Sequence, residues 1–444
     1  MLRIPLLILI IGIWGCNPAS NTQTNPTSPE DSTQSLPEAQ PVNTPKITLE
    51  PPVENKAVTI GAEVLIQSHL AALKGKKVAV IANHTTLIQG THLVDTLLAS
   101  GVQIQKVFAP EHGFRGAADA GQKIDNATDP RTGLPILSLY GKSRKPSAEN
   151  LADIDLVIFD IQDIGSRHYT YISTMAYAME ACAEQGKAFW VLDRPNPNGW
   201  YCDGPVLSLA HSSFIGLHSV PIVHGMTVGE YATMVNREGW LKNGVQAELT
   251  VITCKGYTHD MRWEETGLPW VAPSPNIPTA YAAYLYPALC WFEPTLVSVG
   301  RGTHEAFTFI GAPWFLRYSE GRVESSSAYG LKFIPFAFTP VSIPGKSTYP
   351  KYQDEECQGI KFTNQVEGKN LFLAGLALLE LMYNEAESRD LGKPFFTGNF
   401  ERWAGNTTLQ QQIQSQQEPE AIYDSWQEGL ASFQSIRNKY LLYE

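Results

Sequence analysis

Acidic and basic side chains collect where short apolar runs end. One run closes in Pro110-Glu111-His112-Gly113-Phe114-Arg115-Gly116, another in Asp160-Ile161-Gln162-Asp163 with Gly165, Ser166, Arg167 and His168 behind it. Two more close in Asn83-His84-Thr85 and in Asp193-Arg194. Carboxyl groups on separate segments suit hydrolysis of a glycosidic bond. One acid protonates the leaving oxygen while a second activates water or attacks the anomeric carbon. Glu111 is the best candidate for the acid, because a Gly-flanked loop holds it and apolar Phe114 would favour its protonated form. His112 and Arg115 would orient it or bind substrate. Asp160 and Asp163 are the candidate second carboxylates. Plainer readings stand beside these: Asp160 as a loop cap, Asp163 as partner of Arg167, and Asp193-Arg194 as an internal ion pair. His84, His112, His168 and His224 show no metal-ligand spacing. The sequence has no G-x-G-x-x-G after its first apolar run, no G-x-S-x-G, no P-loop and no H-E-x-x-H, which leaves dinucleotide and nucleophile-elbow chemistry unsupported.

The elements that must position these groups are legible as runs. KKVAVIA (76–82), QIQKVFA (103–109), PILSLY (135–140), DLVIFD (155–160) and AFWVLD (188–193) are short, near-continuous and rich in β-branched residues. Such runs are strands buried on both faces, as in a parallel sheet. Between them, Tyr169 to Gln185 places Ile172, Met175, Ala176, Met179, Cys182 and Ala183 on one helical face, with Gly186 as its stop. Thr227-Val228-Gly229-Glu230 reads as a capping box, so Glu230 satisfies a helix end. Ligands of an open parallel sheet bind beyond the carboxyl ends of its strands, so the acids share one edge. After residue 255 the texture turns to Trp, Tyr and Pro, with an apolar helix near Leu371–Met382 and an amphipathic one carrying Trp426, Leu430, Phe433 and Tyr440. The expectation is a doubly wound, Rossmann-like α/β domain over 57–255 and an α+β domain over 256–444.

The N-terminal stretch is of another kind. Arg3, the apolar run 6–13 and the sequence Ile13-Trp14-Gly15-Cys16 predict a lipoprotein signal peptide over 1–16, with Cys16 as the lipidated residue. Residues 17–56, rich in Pro, Ser, Thr and Gln, read as a disordered tether. Together they predict a body lipid-anchored at Cys16 in the bacterial cell envelope, on its periplasmic or surface side, meeting membrane only through that anchor. Charged residues make up 17% and the net charge is −11, which argues against nucleic acid as the main partner. The 18 Phe, 18 Tyr and 10 Trp suit stacking on uncharged rings. The cysteines beyond Cys16 are scattered without C-x-x-C, which argues against a zinc cage or a disulfide scaffold.

A family likeness lies on a set of motifs. PEHGFRG (110–116), FDIQDIGSRHYTYISTM (159–175), LDRPNPNG (192–199), DGP (203–205), HGMTVGEYA (224–232), PSPNIP (273–278) and WFEPTLVSVGRGT (291–303) together resemble the exo-lytic β-N-acetylmuramidase (NamZ) family, long described as a domain of unknown function. GAPW (311–314) and RNKYLLY (437–443) extend the likeness, which covers nearly all of Val58 to Glu444. The resemblance implies a Rossmann-like domain and a smaller C-terminal domain with the active site in the cleft between them. It also implies release of N-acetylmuramic acid from the non-reducing end of peptidoglycan fragments, without cofactor. On the motif positions it implies Glu111 as catalytic glutamate and Asp160, Asp163, Arg167, Tyr169 and His224 as cleft-lining residues; Asn83, at the end of the first apolar run, is a candidate substrate-binding residue on the same edge. From the second domain come Glu293 and Arg301, the latter suited to the lactyl carboxylate of this sugar; the alternative for these two is an interdomain ion pair. The sequence departs from the pattern at Thr86, His168 and Pro294. Two other readings compete: a catalytically inactive peptidoglycan-binding lipoprotein, and an esterase or amidase acting on the same polymer.

Overall fold

The computed structural model describes residues 57–115, 126–141, 143–316, 326–365 and 367–444. The expected signal peptide with Cys16, the tether up to residue 56 and Gly116 lie outside the described residues. Seven strands form the main sheet: β1 (Lys77–Ala82), β2 (Gln103–Ala109), β3 (Ala127–Thr128), β4 (Pro135–Ser138), β5 (Leu156–Asp160), β6 (Ala188–Leu192) and β7 (Glu248–Ile252). Their order is β3-β4-β2-β1-β5-β6-β7, and every pair is parallel except β3 with β4. Setting β3 aside, the chain runs through the sheet as 3-2-1-4-5-6, the Rossmann order, with its switch point between β1 and β5. Val78 to Ala82 and all of β5 are buried, as expected for strands covered on both faces. The edge strand β7 escapes the sequence reading because its residues alternate between exposed and partly buried.

Helix α1 (Tyr171–Glu184) starts two residues later than expected and covers one face with Ile172, Met175, Ala176 and Met179. Helix α2 (Val228–Arg237) has the expected capping box: Thr227 N–H donates to Glu230 Oε2 at 2.8 Å, and Glu230 N–H donates to Thr227 Oγ1 at 3.2 Å. Gly229 is required there, since a Cβ at that position would lie 2.5 Å from Val251 Cγ1 and 2.8 Å from Asp193 Cγ. The C-terminal region supplies α3 (Ala280–Leu289), α4 (Lys369–Glu387), α5 (Gln427–Arg437) and an antiparallel sheet. That sheet contains β8 (Phe309–Ala312), β9 (Ser326–Ala328), β10 (Leu331–Phe338) and β11 (Cys357–Phe362) in the order β8-β11-β10-β9. The architecture is thus α/β, a mostly parallel sheet joined by a smaller α+β layer. One buried apolar cluster runs from β5 and α1 through α3 and Phe307 to α4, so the two layers share a core.

The last residues of the chain fold back on the main sheet. Tyr443 Oη donates to Asp193 Oδ2 at 2.6 Å, and Leu442 N–H donates to Glu230 Oε1 at 2.7 Å. Thr227 Oγ1, the Gly229 N–H and the Arg194 N–H complete the shell of Asp193 at 2.7, 2.9 and 3.0 Å. Asp193 thus meets only the backbone N–H of its neighbour Arg194, whose guanidinium forms its ion pair with Asp160 instead.

Candidate active site

The strand ends explain why one cleft opens where it does. Beyond β2 the chain turns at once: Gly113 N–H reaches Pro110 O at 3.1 Å, with His112 and Gly113 both at positive φ (68° and 75°). A left-handed histidine is costly, and such strain collects at functional loops. The far side of the turn is pinned into the protein. Phe114 is buried and meets His92 edge-on at 4.8 Å, and Arg115 makes a bidentate bond to Asp129 (3.0 and 2.7 Å) and a bond to Asp95 at 3.2 Å. These anchors leave Glu111 and His112 on the cleft wall. They also correct two expectations: Phe114 lies in the core rather than over Glu111, and Arg115 serves the loop. The Arg115 guanidinium holds the Asp129 carboxyl down at about 2.

The cleft has a volume of about 1070 Å³. Glu111, His112, Tyr140, Thr170 and Tyr171 line it from the main sheet, and Tyr286, Glu293, Arg301 and Phe307 from the C-terminal layer. Thr170 Oγ1 donates to Glu111 Oε2 at 2.8 Å, and the Tyr140 phenol also bonds to this carboxyl. Tyr169 stands edge-on to Tyr171 (5.2 Å) and Tyr286 (6.2 Å), giving the cleft an aromatic floor. Arg301 Nε donates to both oxygens of Glu293 at 2.9 and 3.2 Å. Burial works against the Arg301 charge, but Glu293 first, and Tyr286 and Glu111 after it, outweigh burial and raise its pKa. Both members of this pair come from one C-terminal loop, so the pair is not an interdomain one. Among the described residues the remaining guanidinium nitrogens make no bond to protein. Glu111 and Glu293 are the two carboxylates among the cleft-lining residues.

Other residues expected in the site are placed elsewhere. Asp160 is fully buried in a bidentate bond to Arg194 (2.5 and 2.9 Å), and its carbonyl accepts from Thr86 Oγ1. Asn83, also buried, turns its Oδ1 to Thr85. The switch point is thus filled by the protein's own polar groups, and the open cleft lies beside it. Arg167 is buried among carbonyls, donating to Pro205 O (2.7 Å), Val220 O (3.1 Å), Trp403 O (3.1 Å) and Ala404 O (3.2 Å). His224 is buried against Tyr231, accepts from Met226 N–H at 3.2 Å, and is pushed down to about 3 by burial and then by Arg437. None of these four lines the cleft. His168 does: it stacks on Trp403 at 5.1 Å and bonds Trp403 O at 2.7 Å, and burial keeps it neutral with a pKa of about 3. A neutral imidazole so placed works as an aromatic ring. Sequence reasoning gave no role to Tyr140, Thr170, Tyr286, Trp403 or the 344–349 segment; Thr170 lay inside a quoted motif, and the rest carried no spacing signal.

Asp163 lies beneath the floor and does not pair with Arg167. Its Oδ1 accepts from Gly165 N–H at 2.7 Å, and its Oδ2 is buried with no bond among the described residues. Burial lifts its pKa to about 7, against the opposing Gly165 and Ile164 amides. The folded protein therefore holds a proton that the unfolded chain releases near pH 4. Stability is fullest below that point and is lost as pH rises through about 7. Asp193, raised to about 6 mainly by burial, acts in the same sense. The urea midpoint is expected to fall between pH 5 and 8, and the Asp163→Asn variant to show a shallower fall. Equal slopes in both proteins would contradict this assignment.

Acid, cation and aromatic rings in one open cleft, at the edge of a Rossmann-ordered sheet, define an α/β protein built to handle carbohydrate. Models of the N-terminal and C-terminal domains of exo-β-N-acetylmuramidase NamZ match residues 78–281 and 284–443. The chain belongs to that family. It is 38% identical over 401 residues to peptidoglycan β-N-acetylmuramidase NamZ of Bacillus subtilis (strain 168), covering 87% of this chain and 91% of that one. Two solved structures of DUF1343 family proteins from Bacteroides fragilis NCTC 9343 share the fold. One is 37% identical with a TM-score of 0.73, covering 88% of this chain and 99% of its own. The other is 32% identical with a TM-score of 0.75, covering 87% and 99%.

Proposed function

We propose that this protein is an exo-acting glycoside hydrolase that releases N-acetylmuramic acid from the non-reducing end of peptidoglycan fragments. The observation that carries the reading is the meeting of Glu111 with the Glu293–Arg301 pair in one aromatic cleft, in a chain of this family. Glu111, oriented by Thr170 and Tyr140, protonates the glycosidic oxygen as the bond to the anomeric carbon breaks. Glu293, ion-paired with Arg301, stands as the second carboxylate in place of Asp160 and Asp163, which the fold buries. It takes a proton from the water that adds to the anomeric carbon, so that water is split between the two products. The free face of Arg301 suits the lactyl carboxylate of the bound sugar. Arg167 supports the cleft wall from behind through its bond to Trp403 O.

We place the protein in the bacterial cell envelope, lipid-anchored through Cys16. The apolar 6–13 run ending before that cysteine, followed by a Pro- and Thr-rich stretch, supports this.

The test is to incubate the protein with matched chromogenic N-acetylmuramide and N-acetylglucosaminide. Release from the muramide alone is expected; release from neither overturns the reading in favour of a binding protein. Arg301→Met is expected to raise KM for the muramide by roughly tenfold or more, since it removes a charge-assisted carboxylate contact. An unchanged KM would remove Arg301 from sugar recognition.

A further inference from the structure

The segment Pro344–Tyr349 reaches the cleft from the C-terminal layer, and every one of its residues lines it. It is a tight hairpin: Ser347 N–H donates to Ile343 O at 2.8 Å and Ile343 N–H to Ser347 O at 3.0 Å. Its base is braced against the loop that carries Glu293 and Arg301. Lys351 Nζ donates to the carbonyls of Phe292 (3.3 Å), Glu293 (2.7 Å), Thr295 (2.8 Å) and Val297 (3.0 Å). Pro350 packs so closely on Gly302 that a Cβ there would lie 2.6 Å from Pro350 Cγ. On the other side, Asn276 Nδ2 donates to Lys346 O at 2.8 Å.

Between these braces Tyr349 is 91% exposed, the most exposed of the large hydrophobic side chains among the described residues. It makes no hydrogen bond or ring contact with any described residue. A rigid mount that holds a large ring in water leaves its apolar face for a ligand. An exo-acting cleft encloses the terminal sugar and must let the rest of the chain pass outward. The groups at its open mouth therefore meet the leaving side of the scissile bond. Glu111, Tyr169 and Tyr286 line the walls and floor, whereas Tyr349 stands in solvent.

We propose that Tyr349 is a stacking platform for the sugar ring on the leaving side of the bond, an N-acetylhexosamine in a peptidoglycan fragment. The proposal rests on the muramidase reading and adds to it the recognition of a second ring. It makes the protein selective for oligosaccharides over simple glycosides of the same terminal sugar. Tyr349 touches no group that reacts, so it acts on substrate choice and not on proton transfer.

The experiment compares kcat/KM on the disaccharide of N-acetylmuramic acid and N-acetylglucosamine with that on methyl β-N-acetylmuramide, following free N-acetylmuramic acid. In Tyr349→Ala the ratio of the two is expected to fall by about threefold to tenfold, through KM for the disaccharide. Tyr349→Phe should restore it, because the ring face and not the hydroxyl does the stacking. A ratio unchanged in Tyr349→Ala overturns the proposal, as does a fall that Tyr349→Phe shares. Wild-type protein inactive on both substrates would overturn the muramidase reading instead. The stacking would then be decided by saturation-transfer NMR with the disaccharide. Loss of transfer to the N-acetylglucosamine ring in Tyr349→Ala supports it, and equal transfer overturns it.

Discussion

Glu111→Gln is expected to lower kcat for release of N-acetylmuramic acid by about 10² to 10⁴, the usual contribution of a positioned general acid. The amide is nearly isosteric, and Thr170 Oγ1 still finds an acceptor at the position it now bonds at 2.8 Å. Binding should therefore persist while the proton for the leaving oxygen is gone. The loss should shrink for substrates whose leaving group is already acidic, because such a group departs without protonation. A chromogenic phenol is one; the sugar hydroxyl of a natural fragment is not. Measuring the variant on both separates the proton-donor role from a structural one. Near wild-type turnover of the disaccharide would remove Glu111 from the chemistry.

Arg167→Met is expected to cost about 3–5 kcal/mol of stability, read as a lower urea midpoint. The guanidinium is 0% exposed and satisfies four carbonyls drawn from two distant stretches, 205–220 and 403–404. Its removal leaves those oxygens buried without a donor. Burial already presses on this group, whose pKa is lowered to about 10. Arg167→Lys should recover only part of the loss, since one ammonium cannot span the four positions. Trp403 sits on the stretch that Arg167 clamps, so KM should rise even where the variant remains folded. A midpoint within error of wild type for Arg167→Met would contradict the clamp.

The parallel sheet was legible because its strands are buried on both faces and so read as unbroken apolar runs. Strand β7, half exposed at the edge, left no such trace. Glu111 could be singled out because a Pro and a Gly bracket it directly beyond a buried strand. Asp160 and Asp193 sit in the same kind of position, and sequence alone could not separate them from it. What separates them is the partner each meets in three dimensions: Arg194 for Asp160, and Tyr443 with Thr227 for Asp193. The same holds for Arg167, whose four acceptors are remote backbone groups with no side-chain signature. The cleft's far wall was visible at Glu293 and Arg301 only through the family likeness. Tyr349 was invisible even so, because an exposed tyrosine in a loop has no pattern to mark it.

The return of the final residues to Asp193 and Glu230 bears on the order in which the protein can be made. Synthesis proceeds from the N-terminus, so strand β6 and helix α2 exist for some two hundred residues before Tyr443 and Leu442 arrive. During that interval two buried carboxyl groups each lack one of the donors that finally satisfy them. The nascent chain therefore carries a partly satisfied polar seam in its main sheet until Leu442 and Tyr443 dock. Closure of the main sheet is tied to the docking of a segment more than two hundred residues downstream, and a variant truncated before Leu442 would expose that seam.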